Sequence, residues 1–573
     1  MQRAPRTRAA RGSQPAVARA QSQAAGLRQL QSALGNAGMQ RLARVRSPRM
    51  VARFGEPEHK AAGDKALPDI RWRLRKAGAV IDNPFLDFQL TFGDWVALGD
   101  WFENVDEIRE MLRPDGKGAD RIGQLYYALF ARIRPTTPKE AADAQKLGGK
   151  EGGLWTEEDA KAVDMRYQVL KTRNIKHFSN PLVGDTALST ADKAKRTKGG
   201  KPFGAIAQYH NDHLEAIGIA ITAAHTPDES LLGEALARDG FACHFLTDAF
   251  SGSHARTPRA SIEEWWDKKV PGFDQRLVNW LADEATLTVI NHPHTEIRKK
   301  GLGAGSLELA AGLAPGKARD AVRKLIRPEV PPLSFGDIVG LVVHDWEGAH
   351  GPKRHGPEVD VAGQRFHLAG DDDMLKAVAG MKNVNSDREL NAVLKDGKKS
   401  DAERTFAGSS LAVRASANDI QRAFDLAKSE KNRSRVIDKL IDGKGLFASE
   451  RLLPTAVPDA KQPEEDRMPK WDYDTVDELV ADPKIQAALP MSAARVGGPF
   501  DDTLKSLDAS PAVKQHLRKV VVEPLVSGSV PRIIAWLKAI IDYSEANLSK
   551  RLRSPPAPVE RDVSDLRQSA GAR

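Results

Sequence analysis

At 573 residues the chain is too long for one hydrophobic core, so we expect two or three domains. A hydrophobic share of 41% and a charged share of 28% are ordinary for a soluble globular protein, and the aromatic share of 6% argues against a β-sandwich or barrel. The net charge of +9 does not predict a body-wide phosphate-binding surface, because the first fifty residues carry ten arginines and no acid while the remainder is close to neutral.

The single cysteine, Cys243, excludes an internal disulfide and suits a reducing cytosol. No apolar run approaches the ~18 residues that span a bilayer, so we expect no transmembrane segment. These features predict a protein that is cytoplasmic in the producing cell. The chain has no glycine-rich phosphate loop, G-x-S-x-G motif or zinc-finger cysteine pair, which argues against nucleotide-dependent enzymes, serine hydrolases and common nucleic-acid-binding proteins.

Residues 1–54 are predicted to be a basic leader, disordered except for one short amphipathic helix. Leu27, Leu30 and Leu34 lie at helical spacing before a Gly-Asn break. One interpretation is a helix that docks on the body. The same stretch resembles the segment L-x-x-L-x-x-x-L-G-N-x-x-[VM]-Q-R-L of bacterial proteins associated with extracellular contractile injection systems. That resemblance implies a cargo or effector that is exported or delivered by an injection particle.

The body is predicted to be all-α. We expect a helical domain over 55–375, a smaller helical accessory domain over 376–553 and a flexible tail over 554–573. From about residue 376 the helices become rich in Lys, Asp and Ala and contain no cluster of candidate ligands. This part is therefore predicted to be a partner domain.

The stretch FACHFLTDAFSGSHARTPR (241–259) places two histidines and an aspartate in an apolar helical run. His244 and Asp248 are four residues apart, so they lie on one face of a helix at a metal-ligand spacing. The Ser-Gly-Ser that follows can end the helix and bring His254 toward them. Imidazole and carboxylate suit zinc, and a carboxylate can bridge two ions. The alternative is a core histidine beside an acid on the helix face.

The segment HFLTDAFSGSHA resembles the H-[YF]-x-x-D-x5-H segment of the zinc-dependent phospholipase C and fungal single-strand nuclease superfamily, an all-helical fold with a three-zinc site. The resemblance implies that His244 and Asp248 share one zinc, that Asp248 bridges to a second, and that His254 belongs to a further ion. The HFSNP segment resembles the family's S-H-F-Y-[DN]-P segment, which implies that His177 joins His244 and Asp248.

The same resemblance implies ligands near the start of the body. His59 occupies the place of the family's early histidine ligand. Asp94 matches the order of the family's next aspartate ligand better than Asp100, although Asp94 is equally explained as a helix N-cap. The family's N-terminal tryptophan ligand cannot exist here, because more than fifty residues precede the body, so another group replaces it or the third ion is missing.

The family completes its second zinc with an H-x3-E pair. His292 and Glu296 have this spacing, but Pro293 makes the segment a poor helix interior. We therefore favour His344 and Asp345, where the apolar run FGDIVGLVV ends abruptly in polar residues.

Two other positions leave alternatives open. His213 lies on the apolar stripe of its helix, where core packing, orientation of a ligand and coordination are all consistent with the pattern. Arg256 and Arg259, just beyond His254, could hold a phosphate bidentately, although a solvated helix end explains them equally well.

Together these patterns predict a zinc-dependent phosphoester hydrolase, phospholipase C-like, that binds more than one Zn²⁺. Zinc lowers the pKa of a bound water to about 7, and the resulting hydroxide attacks a phosphoester without a protein nucleophile. Asp248 and Arg256 are the predicted catalytic residues, and the substrate is a phospholipid or a nucleic acid. The alternative is a non-catalytic structural or interaction protein of the injection system that keeps the helical scaffold.

Overall fold

The computed structural model describes residues 56–67, 71–72, 90–111, 175–178, 197–198, 201–202, 204–226, 230–291, 315–327, 330, 333–348, 356–443, 445–456, 461, 463–507, 509 and 511–544. The predicted leader (1–54) and the predicted tail (554–573) lie outside these residues. His292 and Glu296 also lie outside them.

The described part of the chain is all-α, as the sequence predicts. Its helices are α1 (Glu56–Ala66), α2 (Phe92–Ala97), α3 (Val105–Met111), α4 (Ala205–Ala223), α5 (Ser230–Asp248), α6 (Gly252–Arg256), α7 (Arg259–Lys269), α8 (Phe273–Asn291), α9 (Pro315–Ile326), α10 (Phe335–Gly348), α11 (Asp371–Gly380), α12 (Asp387–Lys395), α13 (Asp401–Ala427), α14 (Arg433–Leu440), α15 (Val476–Ala481), α16 (Pro483–Ser506), α17 (Pro511–Leu517), α18 (Glu523–Val526) and α19 (Val530–Ile541). Short 3-10 turns follow α2 (Leu98–Asp100), contain His177 (Ile175–His177) and precede α15 (Glu450–Leu452 and Glu464–Asp466).

The described strands are two to four residues long and lie at the edges of the helical body. They are β1 (Arg71–Trp72), β2 (Leu90–Thr91), β3 (Thr197–Lys198), β4 (Lys201–Pro202), β5 (Glu358–Val361), β6 (Gln364–His367) and β7 (Thr455–Ala456). Strands β1 and β2 pair antiparallel, as do β3 and β4, and β5 lies between β6 and β7 in a three-stranded antiparallel sheet. The two-residue turn between β5 and β6, Ala362-Gly363, has positive φ at both positions, the geometry that joins tightly paired strands.

One hydrophobic core surrounds helix α5. Helices α4 and α13 pack along α5, and α2 packs against its other side. Phe241, Phe245 and Trp95 are completely or almost completely buried in this core. The apolar residues of α5 therefore place its polar residues inside the protein rather than at its surface.

A second hydrophobic core joins helices from the middle and the end of the chain. Helix α10 packs against α7 and α16, while α8 packs against α9 and α17. Trp266, Phe335 and Trp536 are buried here. The chain from Arg53 to Arg573 forms one compact unit, and helices on both sides of residue 376 contribute to each core.

Local capping explains where several helices begin. Ser386 and Ser400 form capping boxes with the glutamates three residues later, at the starts of α12 and α13. Helix α16 begins after the N-cap Asp482 with proline in its first turn. Within the described part of the chain, no helix is long and apolar enough to cross a membrane.

Candidate metal centre

Helix α5 ends at Asp248, and the chain turns through Ser251 into α6, as the Ser-Gly-Ser sequence predicts. The turn carries His254 back over the end of α5, where its Nδ1 lies 2.8 Å from Asp248 Oδ1. On α5 itself, His244 Nε2 lies 3.3 Å from Asp248 Oδ2. The two histidines and the aspartate of this motif therefore meet at one point inside the protein.

Two further imidazoles converge on the same carboxylate. His177 Nδ1 lies 2.9 Å from Asp248 Oδ2, and His59 Nε2 lies 3.7 Å from Asp248 Oδ1. Asp248 is 1% exposed, yet neither of its oxygens accepts a well-aligned hydrogen bond from the described residues. A buried carboxylate without such bonds is costly, and a metal ion would satisfy both oxygens at once.

Asp100 completes the group that we name the Asp248 cluster: His59, Asp100, His177, His244, Asp248 and His254. Asp100 Oδ1 lies 3.8 Å from His244 Nε2. The ligand atoms of two overlapping triads, His59–Asp100–His244 and His177–His244–Asp248, lie within 4.8 Å of one another. This density of imidazole and carboxylate groups fits a zinc centre.

The structure brings Asp100, and not the predicted Asp94, to the cluster. The Asp94 carboxylate accepts a hydrogen bond from the Thr91 backbone N–H, the Asp94 backbone N–H donates to the Thr91 hydroxyl, and the carboxylate pairs with Lys60 at 2.9 Å. Asp94 is therefore the acid of a capping box at the start of α2. The sequence T-x-x-D at 91–94 is the signal that assigns Asp94 to the cap and leaves Asp100 as the ligand candidate.

Backbone and hydroxyl groups orient two of the imidazoles. His244 Nδ1 donates to the carbonyl of Val96 at 3.0 Å, so Nε2 is the nitrogen directed at the cluster. His59 Nδ1 lies 2.5 Å from the hydroxyl of Thr247, which itself donates to the His244 carbonyl, so Nε2 of His59 faces Asp248. Partners of this kind on the second ring nitrogen are typical of metal-binding histidines. The sequence pattern alone does not indicate Val96 or Thr247.

His344 lies beside the cluster, but Asp345 is engaged elsewhere. The His344 and His254 ring centroids are 5.2 Å apart. Asp345 contacts His344 Nδ1 at 3.0 Å and pairs with Arg495 at 2.7 Å, while Ser492 donates to its second oxygen at 2.7 Å. The His344 ring therefore lies next to that of His254, whereas Asp345 is engaged by partners outside the cluster.

Arg256, which the sequence offers as a phosphate-binding group, is buried and paired with a carboxylate. Its Nε and Nη2 both contact Glu347 Oε2, at 2.8 and 2.7 Å, and Nη2 also donates to the Asp466 carbonyl. Arg259 is similarly paired with Glu263 and Asp337. Both guanidinium groups are buried, and a buried charge needs a counter-ion, which these carboxylates supply.

The charges of the cluster suit metal binding. Burial lowers the pKa of His244 well below its ordinary value and lowers that of His344 to about 4. Burial alone would raise the pKa of Asp248, but the facing imidazoles His244, His254 and His177 hold it well below its ordinary range. Neutral imidazoles beside an ionised carboxylate are the protonation states that a divalent cation requires.

His213 belongs to a separate group that we name the His213 network: Tyr209, His213, Asp239, Ser416 and Ser449. His213 Nδ1 lies 2.6 Å from Asp239 Oδ1, and its ring stacks on Tyr209. All five residues are completely buried. Of the three alternatives that the sequence leaves open for His213, the contacts show packing and pairing in the core.

Comparison with known proteins gave no match: no family model, no curated protein and no solved structure aligns significantly with this chain.

Proposed function

We propose that the chain is a zinc-dependent phosphoester hydrolase whose metal centre is the Asp248 cluster. The observation that carries the proposal is the convergence of four imidazoles on one buried carboxylate, with nitrogen–oxygen distances between 2.8 and 3.7 Å. The motif's resemblance to the zinc-dependent phospholipase C and fungal single-strand nuclease superfamily supports the same chemistry.

The residues divide into ligand groups around a shared carboxylate. His177, His244 and Asp248 would hold one zinc ion, and the Asp100 carboxylate also lies near Nε2 of His244. His59 and His254 both approach Asp248 Oδ1 and, together with Asp248, would hold a further ion. Bound zinc would supply an activated water at neutral pH and positive charge for the phosphoryl oxygens.

The protein's own contribution is orientation and a dry surrounding. The Val96 carbonyl and the Thr247 hydroxyl hold the rings of His244 and His59 in defined tautomers. Every residue of the cluster is at most 8% exposed, so charges there interact through a low-dielectric interior. No serine, cysteine or lysine nucleophile is required for this reaction.

The substrate class follows from the same proposal. A phosphodiester, in a phospholipid or a nucleic acid, is the substrate that a multi-zinc centre of this kind would cleave. The leader's resemblance to proteins of extracellular contractile injection systems supports a role as cargo, produced in the cytoplasm and delivered by such a particle.

A second function, a non-catalytic structural or interaction protein, is favoured by the depth of the site. Exposures of 0% for His244 and 1% for Asp248 match a closed structural zinc site, whereas catalysis requires a coordination position open to water and substrate. The two functions share the metal and differ in access to it.

The deciding experiment compares the parent chain with the double variant His244→Ala, Asp248→Ala and with His213→Gln as a control. His213 is an equally buried histidine paired with an aspartate outside the cluster. We expect more than one zinc per chain by mass spectrometry in the parent and the control, and none in the double variant. The zinc-loaded parent chain should hydrolyse bis(p-nitrophenyl) phosphate, phosphatidylcholine vesicles or single-stranded DNA.

Each alternative result has a distinct meaning. Tightly bound zinc without hydrolysis of any of these substrates would favour the structural protein. A parent chain that is folded but binds no zinc would overturn the metal centre and the hydrolase together.

A further inference from the structure

A polar connection runs from the Asp248 cluster into helix α16, far along the chain. His254 contacts Asp248, and the His344 ring lies next to that of His254. Asp345 follows His344 on α10 and receives Ser492 and Arg495 from α16. The sequence gives no ligand to this C-terminal region, so its polar contacts with Asp345, the residue that follows His344, need an explanation.

The residues that make these contacts with Asp345 are almost completely buried, so the contacts are part of the protein interior. Asp345 is 1% exposed and Ser492 is 1% exposed, and the Arg495 side chain is 10% exposed. Ser492 and Arg495 are three residues apart, so they lie on the same face of α16 and reach one carboxylate together. A carboxylate held by a cation and a hydroxyl has a fixed position, and from this position Oδ1 faces the His344 ring.

The consequence for His344 is a fixed tautomer. His344 Nδ1 lies 3.0 Å from Asp345 Oδ1, and a carboxylate oxygen can only accept, so Nδ1 carries the proton. Nε2 is then the nitrogen with a lone pair for a metal. A carboxylate that orients a histidine in this way is the arrangement that tunes many zinc sites.

We infer that Ser492 and Arg495 are positioning residues of the metal centre, which act through Asp345 to hold His344 as a ligand beside His254. This inference rests on the proposed metal centre. It assigns to the predicted partner region a direct part in building the site, because α16 packs on α10 as a whole helix and presents both residues at the carboxylate.

The test measures Zn²⁺ affinity by competition with a chelating dye and the visible absorption of the Co²⁺-loaded chain. Arg495→Met should weaken binding of at least one ion by about 10–100-fold and change the Co²⁺ spectrum, since outer contacts typically have effects of this size. Ser492→Ala should change the spectrum in the same direction by less. Arg495→Lys, which keeps the charge, should restore part of the affinity.

Arg319→Met is the matched control. The Arg319 side chain is 12% exposed and pairs with Asp283 at 2.8 Å, so the variant breaks a similarly buried ion pair that does not contact the cluster. It should leave the Zn²⁺ affinity and the Co²⁺ spectrum at the parent values.

A positioning role also predicts that the effects are not additive. In a His344→Gln background, Arg495→Met should produce no further loss of Zn²⁺ affinity. The inference is overturned if folded Arg495→Met binds Zn²⁺ and Co²⁺ as the parent does, or if its effect persists without His344. Should Arg495→Met not fold, an unchanged Co²⁺ spectrum in Ser492→Ala overturns it. A parent that binds neither ion instead overturns the proposed metal centre.

Discussion

Helix α5 supplies one carboxylate to each of two buried polar groups, Asp239 to the His213 network and Asp248 to the Asp248 cluster. In the His213 network, Ser416 donates to Asp239 at 2.7 Å, and the Tyr209 hydroxyl lies 2.9 Å from Ser416 and 2.6 Å from Ser449. One carboxylate there faces one imidazole and is further bonded by a hydroxyl. In the Asp248 cluster, one carboxylate faces four imidazoles and accepts no well-aligned hydrogen bond from the described residues.

The pKa shifts point in opposite directions in the two groups. Burial lowers the pKa of His213, but Asp239 outweighs burial and raises it overall, which favours an imidazolium. In the Asp248 cluster, burial prevails and the pKa of His244 falls well below its ordinary value. The comparison teaches that a His–Asp contact alone does not indicate a metal. The proposed metal centre rests instead on several imidazoles around a carboxylate that accepts no well-aligned hydrogen bond from the described residues.

The largest expected difference comes from removing each carboxylate in metal-free protein. Asp239→Ala should lower the free energy of unfolding by about 3 kcal/mol or more, because it leaves a buried imidazole and a serine hydroxyl without their partner. Asp248→Ala should also destabilise the metal-free protein, because the facing imidazoles favour the ionised carboxylate. The loss should be smaller than for Asp239→Ala, because no well-aligned hydrogen bond to Asp248 is removed. Urea unfolding in the presence of a chelator measures both values.

The two variants should affect zinc content in the opposite order, with the larger effect from Asp248→Ala. Asp239→Ala should keep the parent zinc content while Asp248→Ala loses it, as measured by mass spectrometry on folded protein. Equal destabilisation by the two variants, or loss of zinc from Asp239→Ala, would show that the two groups are energetically alike.

The second prediction is that His344 and His213 make the folding stability depend on pH in opposite directions. His344 is neutral when folded, with a pKa of about 4, and the unfolded chain takes up the proton near pH 6.5. Metal-free protein should therefore lose up to about 3 kcal/mol as the pH falls from 6.5 to 4. His213 has the opposite sign: its raised pKa adds stability that is complete below pH 6.5 and is lost as the pH rises through the folded-state pKa.

Urea unfolding between pH 4 and 8 tests both signs. His344→Gln should flatten the acidic side of the stability curve, and His213→Gln should flatten the neutral-to-basic side. If His344→Gln left the acidic slope unchanged, the buried neutral state of His344 would be refuted.

The sequence anticipates the all-α fold and the local part of the site, because both depend on patterns within one helix. The four-residue spacing of His244 and Asp248 and the break at Ser251 are of this kind, and the structure places these residues together. His59 and His177 also reach the cluster. The sequence offers both a ligand and a helix cap as explanations of Asp94, and the structure shows the cap, which is itself a local pattern.

Other features could not be derived from local patterns. Arg256 is neutralised by Glu347, ninety-one residues later, and Asp345 by Arg495 on α16. Such pairs depend on which helices pack together, and a charged residue near a helix end has the same sequence pattern whether it faces solvent or a buried partner. Long-range ion pairing therefore decides which of the predicted residues remain available to a ligand.

A third prediction concerns two tightly packed glycines, Gly99 beside the His244 ring and Gly240 beside Trp95. A Cβ at Gly99 would lie 2.3 Å from the His244 ring, and a Cβ at Gly240 would lie 2.7 Å from Trp95 Cβ. Gly99→Ala and Gly240→Ala should each cost about 1–3 kcal/mol through overpacking. Only Gly99→Ala should also weaken Zn²⁺ binding, by about 10–100-fold, because it displaces a ligand ring. Parent-like Zn²⁺ affinity in Gly99→Ala would contradict the placement of His244 in the centre.

The smallest effect is expected from Tyr209→Phe, which removes one hydroxyl from the His213 network. The Tyr209 hydroxyl donates to Ser416, whose own hydroxyl donates to Asp239, and the Tyr209 oxygen also lies 2.6 Å from the Ser449 hydroxyl. Losing this completely buried link should cost about 1 kcal/mol and leave the zinc content unchanged. Tyr473→Phe, which removes a half-buried hydroxyl bonded to Asp482, should cost less, because water replaces the lost contact. If Tyr209→Phe altered the zinc content or the Co²⁺ spectrum, the two polar groups of α5 would be coupled, and their separation into a structural network and a metal centre would fail.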